Sequence, residues 1–199
     1  MSHYYSEFPS GSFKKYRFRV RVRGIEVIIE SASGVFSARR LDKGTEVLLN
    51  YMIVKDGWRM LDLGCGYGII GIVAAKLAPR GYVILTDINK RAVMLAKRNL
   101  ALNRVHNAEV RWGDLYEPVR NETFDTIITN PPQATGMKIL ERIIVEAPRY
   151  LKPDGILQFV ARHRKGGRRL FEILSNVFPE VETLGSRSGY RVYAGKVGS

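Results

Sequence analysis

Between Lys15 and Arg23 the chain reads KYRFRVRVR, with Phe18, Val20 and Val22 alternating with Arg17, Arg19, Arg21 and Arg23. A period of two places successive side chains on opposite faces of a strand. The expected element is a strand with one cationic face and one apolar face. Gly24 marks a turn into a second strand, Ile25 to Glu30, which completes a β-hairpin. Ahead of it, residues 1–12 are polar and contain Pro9 and Gly11, the composition of a leader. Behind it, SGVFSARRLDKGTEVLLNYM passes from loop into a helix from about Thr45, a side chain suited to an N-cap.

From Arg59 onward short apolar runs alternate with amphipathic segments. Strand RMLDLG leads through a glycine-rich turn to helix IIGIVAAKLA, stopped by Pro79. Strand YVILTDI precedes helix NKRAVMLAKRNLALNR, and strand AEVRW precedes the loop GDLYEPVRNETF. Strand DTIITN runs into Asn-Pro-Pro and a helix from about Met137 to Leu151. Strand ILQFVA precedes a basic loop and helix RRLFEILSNVF. The tail, VETLGSRSGYRVYAGKV, reads as two strands joined by a Ser/Gly turn. This alternation predicts an α/β fold, a doubly wound, Rossmann-like, mostly parallel sheet with helices on both faces. The tail adds an antiparallel C-terminal edge. The expected organisation is a leader and basic hairpin over residues 1–30 and one α/β domain over residues 31–199.

The 199 residues, 45% hydrophobic, suffice for one full core. Lys+Arg 32 against Asp+Glu 19 gives a formal net charge of +13. That excess favours a polyanionic partner, nucleic acid before an acidic membrane surface. Cys65 is the only cysteine, which excludes a disulfide framework and a cysteine-rich zinc site. A reducing, cytoplasmic compartment is expected. No run approaches the roughly 18 apolar residues that span a bilayer. Neither a membrane nor a metal partner is expected.

The stretch LDLGCGYGIIG (Leu61–Gly71) lies at the carboxyl end of the first strand of the α/β unit, where such folds bind ligands. Two cofactor classes fit it. Gly66, Gly68 and Gly71 match G-x-G-x-x-G, with Asp87 about 20 residues on, as a nicotinamide dinucleotide site requires. The same stretch also reads Asp62-x-Gly64-x-Gly66-x-Gly68, which resembles motif I of the class I S-adenosylmethionine-dependent methyltransferases. Asp87 would hold ribose hydroxyls in either case. Three features favour the methyl donor: Asp62, suited to a methionine ammonium; Asp114 in WGD after the third strand; and Asn-Pro-Pro after the fourth.

That tripeptide (Asn130, Pro131, Pro132), with GVFSARRLDKGTEVLL, LDLGCGYGIIG and GYRV near the C-terminus, resembles the ribosomal-RNA guanine-N2 methyltransferases, in particular compact archaeal-type members. The resemblance covers about Ser31 to Val197 and implies a class I methyltransferase domain binding S-adenosylmethionine. It places Asp62, Gly64, Gly66, Gly68, Asp87, Ile88, Asp114, Leu115 and Asn130 around the cofactor. It makes the Asn130 side-chain carbonyl and the Pro131 carbonyl acceptors for an exocyclic amine. Such an amine is a weak nucleophile, so orientation and electrostatics carry the catalysis. Prolines fix the loop and remove stray donors. Gln133 departs from the family, which usually has an aromatic residue there to stack on the target base; Phe36 or Tyr190 could supply that ring. None of His3, His106 and His163 lies in an obvious catalytic position.

Two basic clusters are suited to a phosphate backbone: Arg17, Arg19, Arg21 and Arg23 of the hairpin, and Arg162, Arg164, Lys165, Arg168 and Arg169 after the fifth strand. The second is on the catalytic side of the sheet. The leading expectation is methyl transfer to guanine N2 of rRNA. The alternatives are a tRNA guanine-N2 or adenine-N6 methyltransferase, a protein-glutamine N5-methyltransferase, an RNA-binding protein on the same fold, and, as the outlier, a dehydrogenase.

Overall fold

A computed structural model describes residues 13–131 and 136–199. The hairpin forms as expected from β1 (Lys15–Val22) and β2 (Ile25–Ala32), paired antiparallel from Lys15↔Ala32 to Val22↔Ile25. Val20, Val22, Val27 and Ile29 are buried while Arg17, Arg19 and Arg21 are exposed. Arg23 departs from that face. It sits in the turn at φ 50, and its Nη1 donates to the Met52 carbonyl at 2.9 Å, tying the turn to the end of α1 (Lys43–Tyr51). The cap of α1 also differs from expectation. Asp42 is the N-cap, accepting from the Thr45 backbone N–H at 3.0 Å, so Thr45 lies inside the helix.

The remaining elements are β3 (Arg59–Leu63), α2 (Ile69–Leu77), β4 (Tyr82–Asp87), α3 (Lys90–Leu102), β5 (Ala108–Trp112), β6 (Phe124–Thr129), α4 (Met137–Glu146), β7 (Leu151–Arg162), α5 (Arg168–Val177), β8 (Glu180–Arg187) and β9 (Tyr190–Lys196). α4 ends earlier than the pattern predicts. Pro148, which has no N–H to extend the α-helical ladder, falls in a 3-10 turn over Ala147–Tyr150. β7 starts earlier than expected and is irregular at Asp154 (φ 62), settling into register with β6 from Thr126↔Ile156.

The main sheet has strand order β5-β4-β3-β6-β7-β9-β8. β3 to β7 are mutually parallel, and β9 inserts antiparallel between β7 and β8. The order reverses between β3 and β6, the switch point where such sheets open a crevice beyond their carboxyl ends. One core packs the hairpin, α1, α2 and α3 on one face; the other packs α4 and α5 on the opposite face. No helix among the described residues is long and apolar enough to cross a membrane.

The hairpin docks through Asn99 on α3 and Asn103 at the C-cap of that helix rather than through a sheet ladder. Asn99 Oδ1 accepts from Glu30 N, and its Nδ2 donates to the Glu30 and Tyr67 carbonyls, each at 2.9 Å. One helical turn on, Asn103 accepts from Ile28 N at 2.9 Å and donates to the Ile28 carbonyl at 2.8 Å. Each amide thus imitates a neighbouring strand for alternate residues of β2. Asn99→Ala strips partners from three backbone groups and should cost about 2–3 kcal/mol in urea unfolding. A loss below about 0.5 kcal/mol would mean that apolar packing alone seats the hairpin.

Candidate functional site

The glycine loop after β3 and Asn130 after β6 meet at the switch point. Their strand ends are joined by Thr129 Oγ1, which donates to the Leu63 carbonyl at 2.8 Å. Phe36, Thr45, Gly64, Gly66 and Asn130 line one narrow cavity of about 30 Å³. Gly64 adopts φ +71, and a Cβ there would meet nothing within 4 Å, so its backbone faces open space. Gly68 serves packing instead. At φ +96 it begins α2, and a Cβ would lie 3.2 Å from that of Ala96.

Two buried carboxylates shape the loop. Asp87 accepts from Gly66 N through Oδ2 and from Asn89 N through Oδ1, both at 2.8 Å. It therefore locks the loop whether or not a ribose is present. Asp62 accepts from Gly71 N at 2.8 Å through Oδ2, while its Oδ1 is buried with no hydrogen-bond partner. Burial pushes the Asp62 carboxyl up to about 7; the Gly71 N–H opposes that rise and the Asp87 charge adds to it. An orphaned carboxylate oxygen beside an open glycine backbone suits a cationic ammonium group. Burial also pushes the Cys65 thiol well above its ordinary range, which removes it as a nucleophile.

Beyond β4 and β5 two loops are joined, one carrying Ile88 and the other leading to Asp114 and Leu115. Gly113 N donates to the Asp87 carbonyl at 3.1 Å, and Trp112 Nε1 donates to the Ile88 carbonyl at 2.8 Å. Asp114 is half-exposed, with Arg142 3.6 Å away, and Leu115 takes φ 43. Trp112 is 49% exposed, with Lys90 Nζ 4.6 Å from its ring centroid.

Asn130 is held from one side. Its Nδ2 donates to Asp42 Oδ2 at 3.1 Å and to Thr45 Oγ1 at 2.8 Å. Amide oxygen and nitrogen are ordinarily hard to tell apart, but a carboxylate can only accept, so the NH2 must face Asp42. The Asn130 carbonyl oxygen is then the end left for a ligand. Pro131 is buried; Pro132 and Gln133 lie outside the described residues. Neither Asp42 nor the anchoring hydroxyl of Thr45 was assigned a site role from the sequence. Their signal was the LDKGT stretch, read there only as part of a family motif.

Arg162, Arg164 and Lys165 line a cleft next to Tyr190, whereas Arg168 and Arg169 are on α5 and do not line it. Arg17 borders a separate cavity of about 390 Å³ between β1 and α3, which shares no residue with the glycine-loop cavity. No three metal-ligating side chains cluster among the described residues.

The family model "Methyltransferase small domain" matches residues 26–194. Protein YbxB of Bacillus subtilis is 34% identical over 198 residues, covering 98% of each chain. Ribosomal RNA small subunit methyltransferase C of Aeromonas hydrophila is 34% identical over 91% of this chain and 52% of its own length. In structure, the T. thermophilus 16S rRNA N2 methyltransferase RsmC, in complex with AdoMet and guanosine, matches with a TM-score of 0.79 and 23% identity. That match covers 95% of this chain and 52% of RsmC. The chain thus spans about half the length of these rRNA-modifying proteins and nearly the whole of YbxB.

The raised Asp62 pKa makes stability depend on pH. Between the ordinary carboxyl value of 3.8 and about 7, the folded protein keeps a proton that the unfolded chain has released. The contribution is therefore full below the ordinary value and lost as pH climbs to about 7. Between pH 5 and pH 8 Asp62→Asn should gain on the wild type by about 2.7 kcal/mol, read from thermal melts. A gap that stays constant across this range would show that the folded-state carboxyl is not protonated.

Proposed function

The chain belongs to the methyltransferase small-domain family, and from that premise we propose that it transfers the methyl group of S-adenosylmethionine to an exocyclic amine of RNA, guanine N2 of rRNA foremost. The observation that supports this reading is the enforced orientation of Asn130, whose amide nitrogen is anchored and which lines the cavity that also contains the glycine loop. When bound, S-adenosylmethionine supplies an electrophilic sulfonium methyl.

The residues present fit that cofactor. The Asp62 Oδ1 that lacks a partner would take the methionine ammonium, and the open face of Gly64 would admit its backbone. Asp87 would bind the ribose, and Ile88, Asp114 and Leu115 would flank the adenine. The amine of the target base would donate to Asn130 Oδ1 and to the Pro131 carbonyl, which hold its lone pair on the line of attack. The proton can leave after transfer, so no tuned general base is needed. Phe36, 45% exposed on the same cavity, is the ring best placed to cover the base in place of an aromatic at Gln133. The base must be unpaired or flipped out to reach this position.

An amide-nitrogen substrate would use the same two acceptors. The net charge of +13 favours RNA over protein, and an rRNA substrate places the protein in the cytoplasm.

Asn130→Ala should reduce labelled methyl transfer to rRNA by about 10²–10³-fold, with S-adenosylhomocysteine affinity by calorimetry nearly unchanged. Asp42→Ala, which frees the amide to turn, should lower kcat by about tenfold, roughly the effect of one modest hydrogen bond. N2-methylguanosine is the expected product on nucleoside analysis. Labelling of protein and not RNA would sink the substrate assignment, and full activity of Asn130→Ala would sink the mechanism.

A further inference from the structure

A cleft of about 730 Å³ opens on the catalytic side between the turn that follows β7 and the turn that joins β8 to β9. Arg162, Arg164 and Lys165 form one wall, and Arg187, Tyr190 and Arg191 the other. The walls are tied by His163 N, which donates to the Gly189 carbonyl at 3.1 Å. Both turns depend on left-handed backbone, at Gly166 (φ 100) in the first and at Ser188 (φ 53) and Gly189 (φ 79) in the second. The cleft is built by the fold and is not an accident of side-chain placement.

No carboxylate lines the cleft. Among the described residues, Arg164, Lys165, Arg187 and Arg191 form no ion pair, although Arg19, Arg59, Arg80, Arg98, Arg111, Arg120 and Arg142 all do. The basic chain thus satisfies many of its arginines with its own acids and leaves this group without them. His163, facing Arg164, Arg168 and Arg191, is held below its ordinary pKa by burial and by those three charges.

Contact with the candidate catalytic amide runs through Tyr190. Arg162 Nε donates to the Tyr190 hydroxyl at 2.9 Å, and its guanidinium lies 5.1 Å from the ring centroid. The other edge of that ring covers Gly44, where a Cβ would come within 3.0 Å of it. Gly44 lies between Asp42 and Thr45, the two anchors of Asn130. Tyr190 therefore separates the cationic cleft from the Asn130 anchor by the thickness of one ring. Its role is to wall the two sites; Phe36 and Tyr67, not Tyr190, line the glycine-loop cavity.

We propose that this cleft binds the backbone phosphates of the nucleotides adjoining the methylated base, so that unpaired RNA enters across β7, β9 and β8. The inference rests on the RNA methyltransferase reading and assigns the route by which RNA reaches Asn130. Guanidinium groups suit the site because they fork onto phosphate oxygens in a fixed plane. Sequence distance hid half of the cleft: Arg187 and Arg191 stand some 25 residues from Arg162 and Arg164, and only the antiparallel return of β9 beside β7 brings them opposite.

The test is binding of a fluorescent single-stranded oligoribonucleotide to the full chain across 50–300 mM salt, beside methyl transfer to rRNA. Each phosphate contact contributes a slope of about −0.7 in log affinity against log salt for a single strand. Arg187→Gln/Arg191→Gln, and separately Arg164→Gln/Lys165→Gln, should each flatten the slope by about 1.4 on that scale and raise KM for rRNA severalfold. S-adenosylhomocysteine affinity should not change in either, which also verifies folding. Lys76→Gln/Arg80→Gln, at the opposite end of the sheet, should leave slope and KM as in the wild type. If the wild type binds and methylates RNA but both cleft variants keep its slope, the cleft proposal fails and the methyltransferase reading stands. If the wild type methylates protein and binds no RNA, both fail.

Discussion

A carboxylate accepts hydrogen bonds and donates none, and at Asp42 this asymmetry organises three parts of the molecule at once. Its Oδ2 takes the Thr45 backbone N–H, which starts α1 at Lys43. The same oxygen takes the Asn130 amide nitrogen, which turns the Asn130 carbonyl outward. The helix it starts packs against β7, β8 and β9 and, through Gly44, against Tyr190 on the edge of the cationic cleft. An N-cap alone needs only one small polar side chain, and many would serve. The further demand that the cap orient an amide across the crevice requires an obligate acceptor, which Ser or Thr is not, since a hydroxyl can also donate.

Other side chains likewise fix loops around the sheet by bonding to their backbone. Asp87 holds Gly66 and Asn89. Asn89 Oδ1 caps α3, while its Nδ2 donates to the Gly34 carbonyl at 2.9 Å. Gln158 clamps both backbone groups of Ile53, accepting from the N–H at 2.7 Å and donating to the carbonyl at 2.8 Å. Each arrangement satisfies backbone groups that have no ladder partner. Against this background the unpartnered Oδ1 of Asp62 stands apart. A buried carboxylate oxygen without a donor is costly to the free protein, and the cost is recovered when a cation arrives beside it.

The sequence carried most of the fold because its strands and helices were local in origin. Runs such as YVILTD and the IIGIVAAKL segment declare themselves through composition and spacing, and the strand–helix alternation allows few topologies. Asp62, Gly64, Asp87 and Asn130 were legible for a related reason: each stands at or just past the end of a strand, and parallel strands bring those ends together. What stayed hidden was set by pairing at a distance. Asn99 and Asn103 look like ordinary polar positions of an amphipathic helix until β2 lies against them. Arg23 looked like the next arginine of an alternating face, but the turn came one residue earlier and sent its guanidinium to Met52. Thr45 looked like the cap because Asp42 and Thr45 both suit one, and only the helix start distinguishes them.

The distribution of charge completes the physical picture. A chain carrying +13 would repel a sulfonium cofactor if its positive charge were spread evenly. Instead Asp42, Asp62 and Asp87 stand around the crevice at the switch point, while Arg164, Arg187 and Arg191, which form no ion pair among the described residues, line the cleft beyond Tyr190. Asp62 and Asp87 are almost wholly buried, at 2% exposure each, so salt screens them little. The cleft arginines are open to solvent, and charges separated by more than about 8 Å there are largely screened at physiological ionic strength. A cationic small molecule and a polyanion can therefore occupy adjacent sites without competing for one field. On the proposed reading, the negative site would act at contact distance through low dielectric, and the positive one would act on a long, flexible chain through many weak contacts. The ring of Tyr190 and the cap of α1 are the boundary between the two.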